Sequence, residues 1–331
     1  MKKGIAFAGT IVLDQIKFVE TYPAPGTLTT ITEMTRAMGG LVCNCVVDMA
    51  RLDSSIPLKV IGIAGEDDAG DYILQQLSQY QNIDTSAILR EGSTSYTDVI
   101  TQQDGSRTFF HFRGTNAILG PEHFDFCTLE ADILHIGYIL LLDRLDSPDG
   151  NYPTAMCRLL EEAKAHGIET SIDVVSEDSD RFSAIVAPAL RYADYCIINE
   201  IEAARTTGIE LRRGDTLLEE NLPPCLRKLV DFGVAKWAVI HMPEMSCGYD
   251  SRNGEYFMEP SWKIPPGFKR SSVGAGDAFA SGILYGAYNG WDLRKSLRTA
   301  GAIAAYSLSG LGASDAIKPL EDIMVEMAAY Q

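Results

Sequence analysis

Short apolar or β-branched runs recur along the chain at Gly4–Gly9, Leu58–Ala64, Ile133–Ile136, Glu169–Val174, Tyr195–Ile198 and Lys236–His241, each of strand length. Between them lie stretches with helical spacing, among them Leu41–Leu52, Ala69–Tyr80, Tyr152–His166 and Ala275–Asn289. There is no repeat, low-complexity tract or linker. Such an alternation predicts a single α/β domain over residues 1–331, a doubly wound and mostly parallel sheet covered by helices on both faces.

Two segments break the rhythm. Thr94–Gln102 and Arg107–Arg113 alternate in strand fashion around Asp104-Gly105, a dipeptide suited to a hairpin turn. Leu28–Thr35, rich in Thr and Ile after the turn cluster Pro23–Gly26, reads as a further strand. Together they predict a small β-sheet lid from about 15–36 and 94–114, placed to exclude water from a reaction. An open lid edge with an apolar face would also suit a homodimer.

With 46% hydrophobic and 22% charged residues the chain can fill a core. A formal charge of −17 argues against nucleic acid and anionic membrane as partners, because phosphate contacts need cations. No apolar run is long enough to span a bilayer, and Asp14 interrupts the apolar start, so a cytoplasmic location is expected. The seven cysteines lack metal-ligand spacing and are read as reduced.

The strongest chemical signal is Ser271-Ser272-Val273-Gly274-Ala275-Gly276-Asp277, opening an apolar helix. Small residues at a helix start let free backbone N–H groups approach a phosphate, and the helix dipole adds positive potential. Gly274, Ala275 and Gly276 would thus form an anion hole, and Asp277 could take the proton of an attacking hydroxyl. A plain capped helix start fits this segment about as well. Asp14, after the first strand, and Gly39, Gly40 and Asn44 offer the carboxylate, bare backbone and amide that vicinal hydroxyls need, although a loop cap and a tight turn would use the same residues. Arg113 and His111, at the lid's end, could reach an acidic group on such a substrate. Asn199 and Glu202 follow an apolar strand, where an open α/β sheet binds ligands and where a helix cap is also common.

Gly39-Gly40-Leu41-Val42-Cys43-Asn44, the glycine and acid pattern Gly62–Gly70, Asn199-Glu200-Ile201-Glu202 and Gly274-Ala275-Gly276-Asp277 occur in this order and spacing. The set resembles the ribokinase-like (PfkB) carbohydrate kinases over essentially the whole chain. The resemblance implies transfer of the γ-phosphate of ATP to a hydroxyl of a sugar-like small molecule, with Asp277 as base. Asp14, Gly39, Gly40, Asn44 and Arg113 would face the acceptor. Asn199 and Glu202 would hold Mg2+ through water, and His241, Gly248, Gly310, Gly312 and Ser314 would lie beside the nucleotide. A nucleoside or sugar phosphate is an alternative acceptor, and a catalytically silent sugar- or nucleotide-binding member is the rival from another class. A dehydrogenase fits less well, because the first strand lacks closely spaced glycines after it.

The chain departs from the family in three places. His241–Gly248 carries Pro243 and Glu244 where relatives have small flexible residues. Asp173 stands where some relatives continue Asp-x-Asn-x-Arg, and here the Asn and Arg are missing. Ser271 replaces an Asp that contributes to a potassium site in many relatives, so only a weak K+ dependence is expected.

Overall fold

The computed structural model describes residues 2–330. In chain order the strands are β1 (Ile5–Gly9), β2 (Val12–Val19), β3 (Ile31–Gly39), β4 (Leu58–Ala64), β5 (Ile83–Arg90), β6 (Tyr96–Gln102), β7 (Arg107–Phe112) and β8 (Ile133–Ile139). They continue with β9 (Glu169–Val174), β10 (Tyr195–Asn199), β11 (Arg212–Arg213), β12 (Thr216–Leu217), β13 (Trp237–His241), β14 (Met245–Asp250) and β15 (Glu255–Pro260). The helices are α1 (Gly40–Leu52), α2 (Asp68–Leu77), α3 (Asp143–Asp146), α4 (Ala155–Ala165) and α5 (Phe182–Ala189). After them come α6 (Glu200–Thr207), α7 (Leu222–Asp231), α8 (Ala275–Tyr288), α9 (Leu293–Ser307) and α10 (Leu320–Met327).

Nine strands form one sheet in the order β15-β14-β13-β10-β9-β8-β1-β4-β5. It is parallel from β5 to β13, and an antiparallel β13-β14-β15 meander closes one edge. Period-two alternation sends successive side chains to opposite faces. Ala6, Ala8, Leu134, Ile136, Cys196 and Ile198 enter one core, while Ile5, Phe7, Ile133, Tyr195, Ile197 and Val239 enter the other. Helices α4 to α7 cover the first face and α1, α2, α8 and α9 the second, as buried strands on both faces require.

A separate sheet, β3-β2-β6-β7, stands over the carboxyl ends of the central strands. Its β2 pairs antiparallel with β3 but parallel with β6, so a segment entering directly from β1 forms the middle of the sheet. The β6-β7 hairpin turns at Asp104-Gly105, where Gly105 takes φ +83° and Asp104 accepts from the Ser106 amide. The sequence reading had the hairpin but not β2, and it placed the third strand at Leu28–Thr35 where β3 occupies Ile31–Gly39. Asp14 therefore lies within a strand rather than in a loop. The strands β5 and β15 lack a clear apolar run because they are partly exposed, and β14, though mostly buried, because it carries Ser246, Gly248 and Asp250.

Candidate active site

The carboxyl ends of β1, β8, β9, β10 and β13 converge below the small sheet, the position where open α/β sheets bind ligands. Close passage at the start of this edge depends on Gly9. Its φ is +120°, and a Cβ there would lie 1.8 Å from the Gly137 carbonyl oxygen, which accepts the Thr10 amide at 2.8 Å.

Asp277 sits in the first turn of α8, buried. Gly274 caps that helix with φ +75°, packed so closely on Ala313 that a Cβ would fall 2.6 Å from its backbone. The amides of Gly276 and Asp277 find no backbone acceptor among the described residues, as expected for a helix's first turn. Two side chains fix the carboxylate of Asp277. Asn44 Nδ2, on α1, donates to Oδ2 at 2.8 Å, and the Tyr138 hydroxyl, on β8, donates to Oδ1. Burial pushes the Asp277 carboxyl up to about 6, while the hydrogen bonds from Tyr138 and Asn44 pull it down.

Asp14 lies half-buried on β2 against Gly39, where an added Cβ would come within 2.2 Å of its Oδ2. Burial raises its carboxyl to about 6, the Thr97 hydroxyl opposes the shift and the Asp277 charge adds to it. Thr97 in turn hydrogen-bonds His111 Nδ1 at 3.0 Å. Register puts Asp14, Thr97 and His111 side by side across β2, β6 and β7, on one face of the small sheet. Further along that face, level with Thr101, Arg107 reaches Ser271 Oγ at 3.4 Å, and the same oxygen accepts the Val273 amide.

Two neighbouring clefts share Asn199, His241 and Gly276. The smaller, about 310 Å³, is lined by Tyr138, Asp173, Ser176, Glu202, Gly274 and Asp277 among others. The larger, about 460 Å³, has apolar walls from Ile201, Met242, Pro243, Phe279, Leu297 and Leu308, with Lys269, Ser272 and Arg298 also lining it. Asn199 caps α6, its Oδ1 accepting the Ile201 and Glu202 amides, and Glu202 Oε2 returns the bond from the Asn199 amide at 2.9 Å. Ser176 donates to Glu202 Oε1 at 2.7 Å. Burial raises Glu202 to about 7, and Asp173 beside it is raised by burial and by the charges of Glu202 and Asp277. This pair of facing carboxyls lacks a counter-charge among the cleft's residues and so suits a hydrated divalent cation, which needs few protein ligands.

Several expected contacts fall elsewhere. Gly248 is in mid-strand on β14, paired with Val239 and packed on Leu293 and Leu297, so its lack of a side chain serves helix–sheet contact. Gly310, Gly312 and Ser314 belong to a loop outside both clefts. There Asp315 accepts the Gly312 amide at 2.7 Å, and Arg51 donates to the Ser314 carbonyl at 2.6 Å. Arg113 points its fork at the Leu140 carbonyl, 2.7 Å away, with Asp143 at 3.3 Å, instead of lining the smaller cleft. The Pro243-Glu244 turn is braced by Arg212, which binds both Glu244 and Glu200. Tyr138, Thr97 and Arg107 escaped the sequence reading because a single Tyr, Thr or Arg carries no spacing signature.

Residues 2–319 match the pfkB family carbohydrate kinase description, and the chain belongs to that family. It is a carbohydrate kinase. Among curated relatives, the 5-dehydro-2-deoxygluconokinase of Geobacillus thermodenitrificans is 24% identical, over 87% of this chain and 83% of that one. The ribokinase of Schizosaccharomyces pombe is 26% identical, covering 86% and 85%. The deoxyribokinase of Salmonella typhimurium is 24% identical over 96% of each chain. The ribokinase of Arabidopsis thaliana, solved with ribose and ATP, superposes with a TM-score of 0.81 at 20% identity over the full length of both chains. That of Thermotoga maritima gives 0.76 at 20% identity, covering 98% of this chain and 99% of that one. These likenesses show the ribokinase fold.

Proposed function

We propose that the protein transfers the γ-phosphate of ATP to a hydroxyl of a sugar or sugar-like acceptor, with Asp277 as general base. The observation that carries this reading is the place of Asp277, where free helix-start amides, a nucleotide-sized cleft and the small sheet meet. The carboxylate is oriented by Asn44 and Tyr138, and its raised pKa of about 6 leaves it ionised at neutral pH yet basic enough to accept a hydroxyl proton. The amides around Gly274-Ala275-Gly276 would receive the negative charge of the transferring group.

The nucleotide base would occupy the larger cleft against Met242, Pro243 and Phe279, with Lys269 and Arg298 near its phosphates. Magnesium would be held by Glu202, Asn199 and Asp173, largely through water, and would screen phosphate charge when bound. Asp14 and the bare backbone at Gly39-Gly40 would hold acceptor hydroxyls, and the small sheet would act as the lid. Asn44 shares this region, but its amide nitrogen is engaged with the base. Exposed Met34 on β3 and Phe110 on β7, both on the face of the small sheet away from Asp14, support pairing of two such lids in a homodimer. The test is ADP release with ATP and Mg2+ across a panel of sugars, polyols, nucleosides and sugar phosphates. Absence of acceptor-stimulated release, in protein that binds ATP, would favour a silent binding member.

A further inference from the structure

We infer that the acceptor carries no negative charge: it is an uncharged polyhydroxy compound, and sugar acids and sugar phosphates are excluded electrostatically. This rests on the kinase reading above. The region beneath the lid gathers Asp14, Asp173, Glu202 and Asp277, and no Lys or Arg lines the cleft that holds the last three. A cation on the nucleotide side would offset Asp173 and Glu202, but Asp14 and the catalytic carboxylate would still face the acceptor.

The positive groups nearest this region are already committed. Arg113 and Arg181 both donate to the Leu140 carbonyl oxygen, at 2.7 and 3.0 Å, so the two forks converge on backbone. Arg181 is further bound by Glu177 through Nε at 2.8 Å and Nη2 at 2.6 Å, and Arg113 faces Asp143. His111 bonds Thr97, and burial together with the Arg113 charge lowers its pKa, which favours the neutral ring. Lys17, on the opposite face of the lid, is paired with Asp98. Arg107 reaches Ser271 at the nucleotide end, and Arg36 lies over Tyr72. Each of these cations thus already has a bonded or stacked partner, and none lines the smaller cleft beside Asp277. One added negative charge roughly 6 Å from one ionised carboxylate, at the screening typical of protein sites, weakens binding on the order of 100-fold.

The experiment compares D-ribose, D-fructose, myo-inositol and adenosine with D-gluconate, ribose 5-phosphate and fructose 6-phosphate. ADP release is measured with ATP and Mg2+ at pH 7.5, and ATP binding by calorimetry. The best uncharged acceptor should exceed the best anionic one by about 100-fold or more in kcat/KM. The Asp14→Asn variant, checked for an unchanged melting profile, should narrow that ratio by about 100-fold, since it removes one such repelling charge. An anionic compound as best acceptor, or an unchanged ratio in the variant, overturns the inference while leaving the kinase reading intact. If the protein binds ATP and no acceptor of either kind stimulates release, the kinase reading is what fails.

Discussion

Asn44 holds Asp277 from a helix 233 residues away in sequence, through a 2.8 Å bond from its amide nitrogen to Oδ2. A residue assigned from sequence to the acceptor thus also positions the base. Asn44→Ala should leave Asp277 less well oriented and raise its pKa further, since a bond to the charged form is lost. The acid limb of the kcat/KM profile should move to higher pH. Rescue by Asn44→Gln is not expected, because the longer side chain displaces the amide in a buried site. An unmoved limb would detach Asn44 from the base.

Asp277→Asn keeps the shape and removes the proton acceptor. Turnover should fall by ~10² or more with little change in nucleotide affinity. Near-normal turnover on the true acceptor would refute the assignment.

The same carboxyl should have a signature in stability. Its folded pKa, about 6, lies above the usual 3.8, so the folded protein holds this proton more tightly than the unfolded chain. The cost of ionising it is absent below about pH 4, grows between pH 4 and 6 and is complete above. Asp277→Asn should therefore raise the melting temperature at pH 7.5 and leave it nearly unchanged at pH 4. Calorimetric scans at the two pH values decide the point, and an equal gain at both would assign the effect to packing.

Asp14→Ala should weaken acceptor binding by ~1.5–3 kcal/mol, the value of a hydrogen bond to a charged group, without altering ATP binding. Gly39→Ala should act similarly by pushing a methyl into Asp14. Calorimetry showing parental acceptor affinity in folded Asp14→Ala would remove Asp14 from the site.

The Arg107 guanidinium at 3.4 Å from Ser271 adds positive charge where the family resemblance calls for a carboxylate, beside Lys269 and Arg270 in the chain. The initial rate should differ by less than about twofold between potassium and a bulky organic cation at equal ionic strength. Ser271→Asp should increase the dependence, most clearly when combined with Arg107→Ala. A steep requirement in the unmodified protein would overturn this.

The central sheet was legible because buried parallel strands read as continuous apolar runs: Leu58–Ala64 and Glu169–Val174 match β4 and β9 end to end. The second sheet was legible only where a turn marked it. β2 follows β1 after only two residues, Thr10 and Ile11, both buried, with no exposed loop to separate strand from strand. In the site, glycines and a helix-start acid announced Gly274 to Asp277. The contacts that depend on tertiary neighbours, Tyr138 on Asp277 and Arg113 on Leu140, had no local pattern to reveal them. Gly248 misled for the opposite reason, since a glycine fitted to helix packing and one fitted to a phosphate look alike in sequence.

The short tie between β1 and β2 makes the second sheet a cantilever. Thr10 is clamped at its root by its own amide to Gly137 and by its hydroxyl accepting the Leu41 amide. A rocking motion would pivot close to Asp14, whereas Arg107 lies level with Phe18, four residues or roughly 13 Å further out. The same angular swing that barely shifts Asp14 would carry Arg107 away from Ser271 by several times as much. Were the small sheet to close in this way, a substrate would meet a nearly finished cradle at its root, and the guanidinium at the free end would be the last part to arrive.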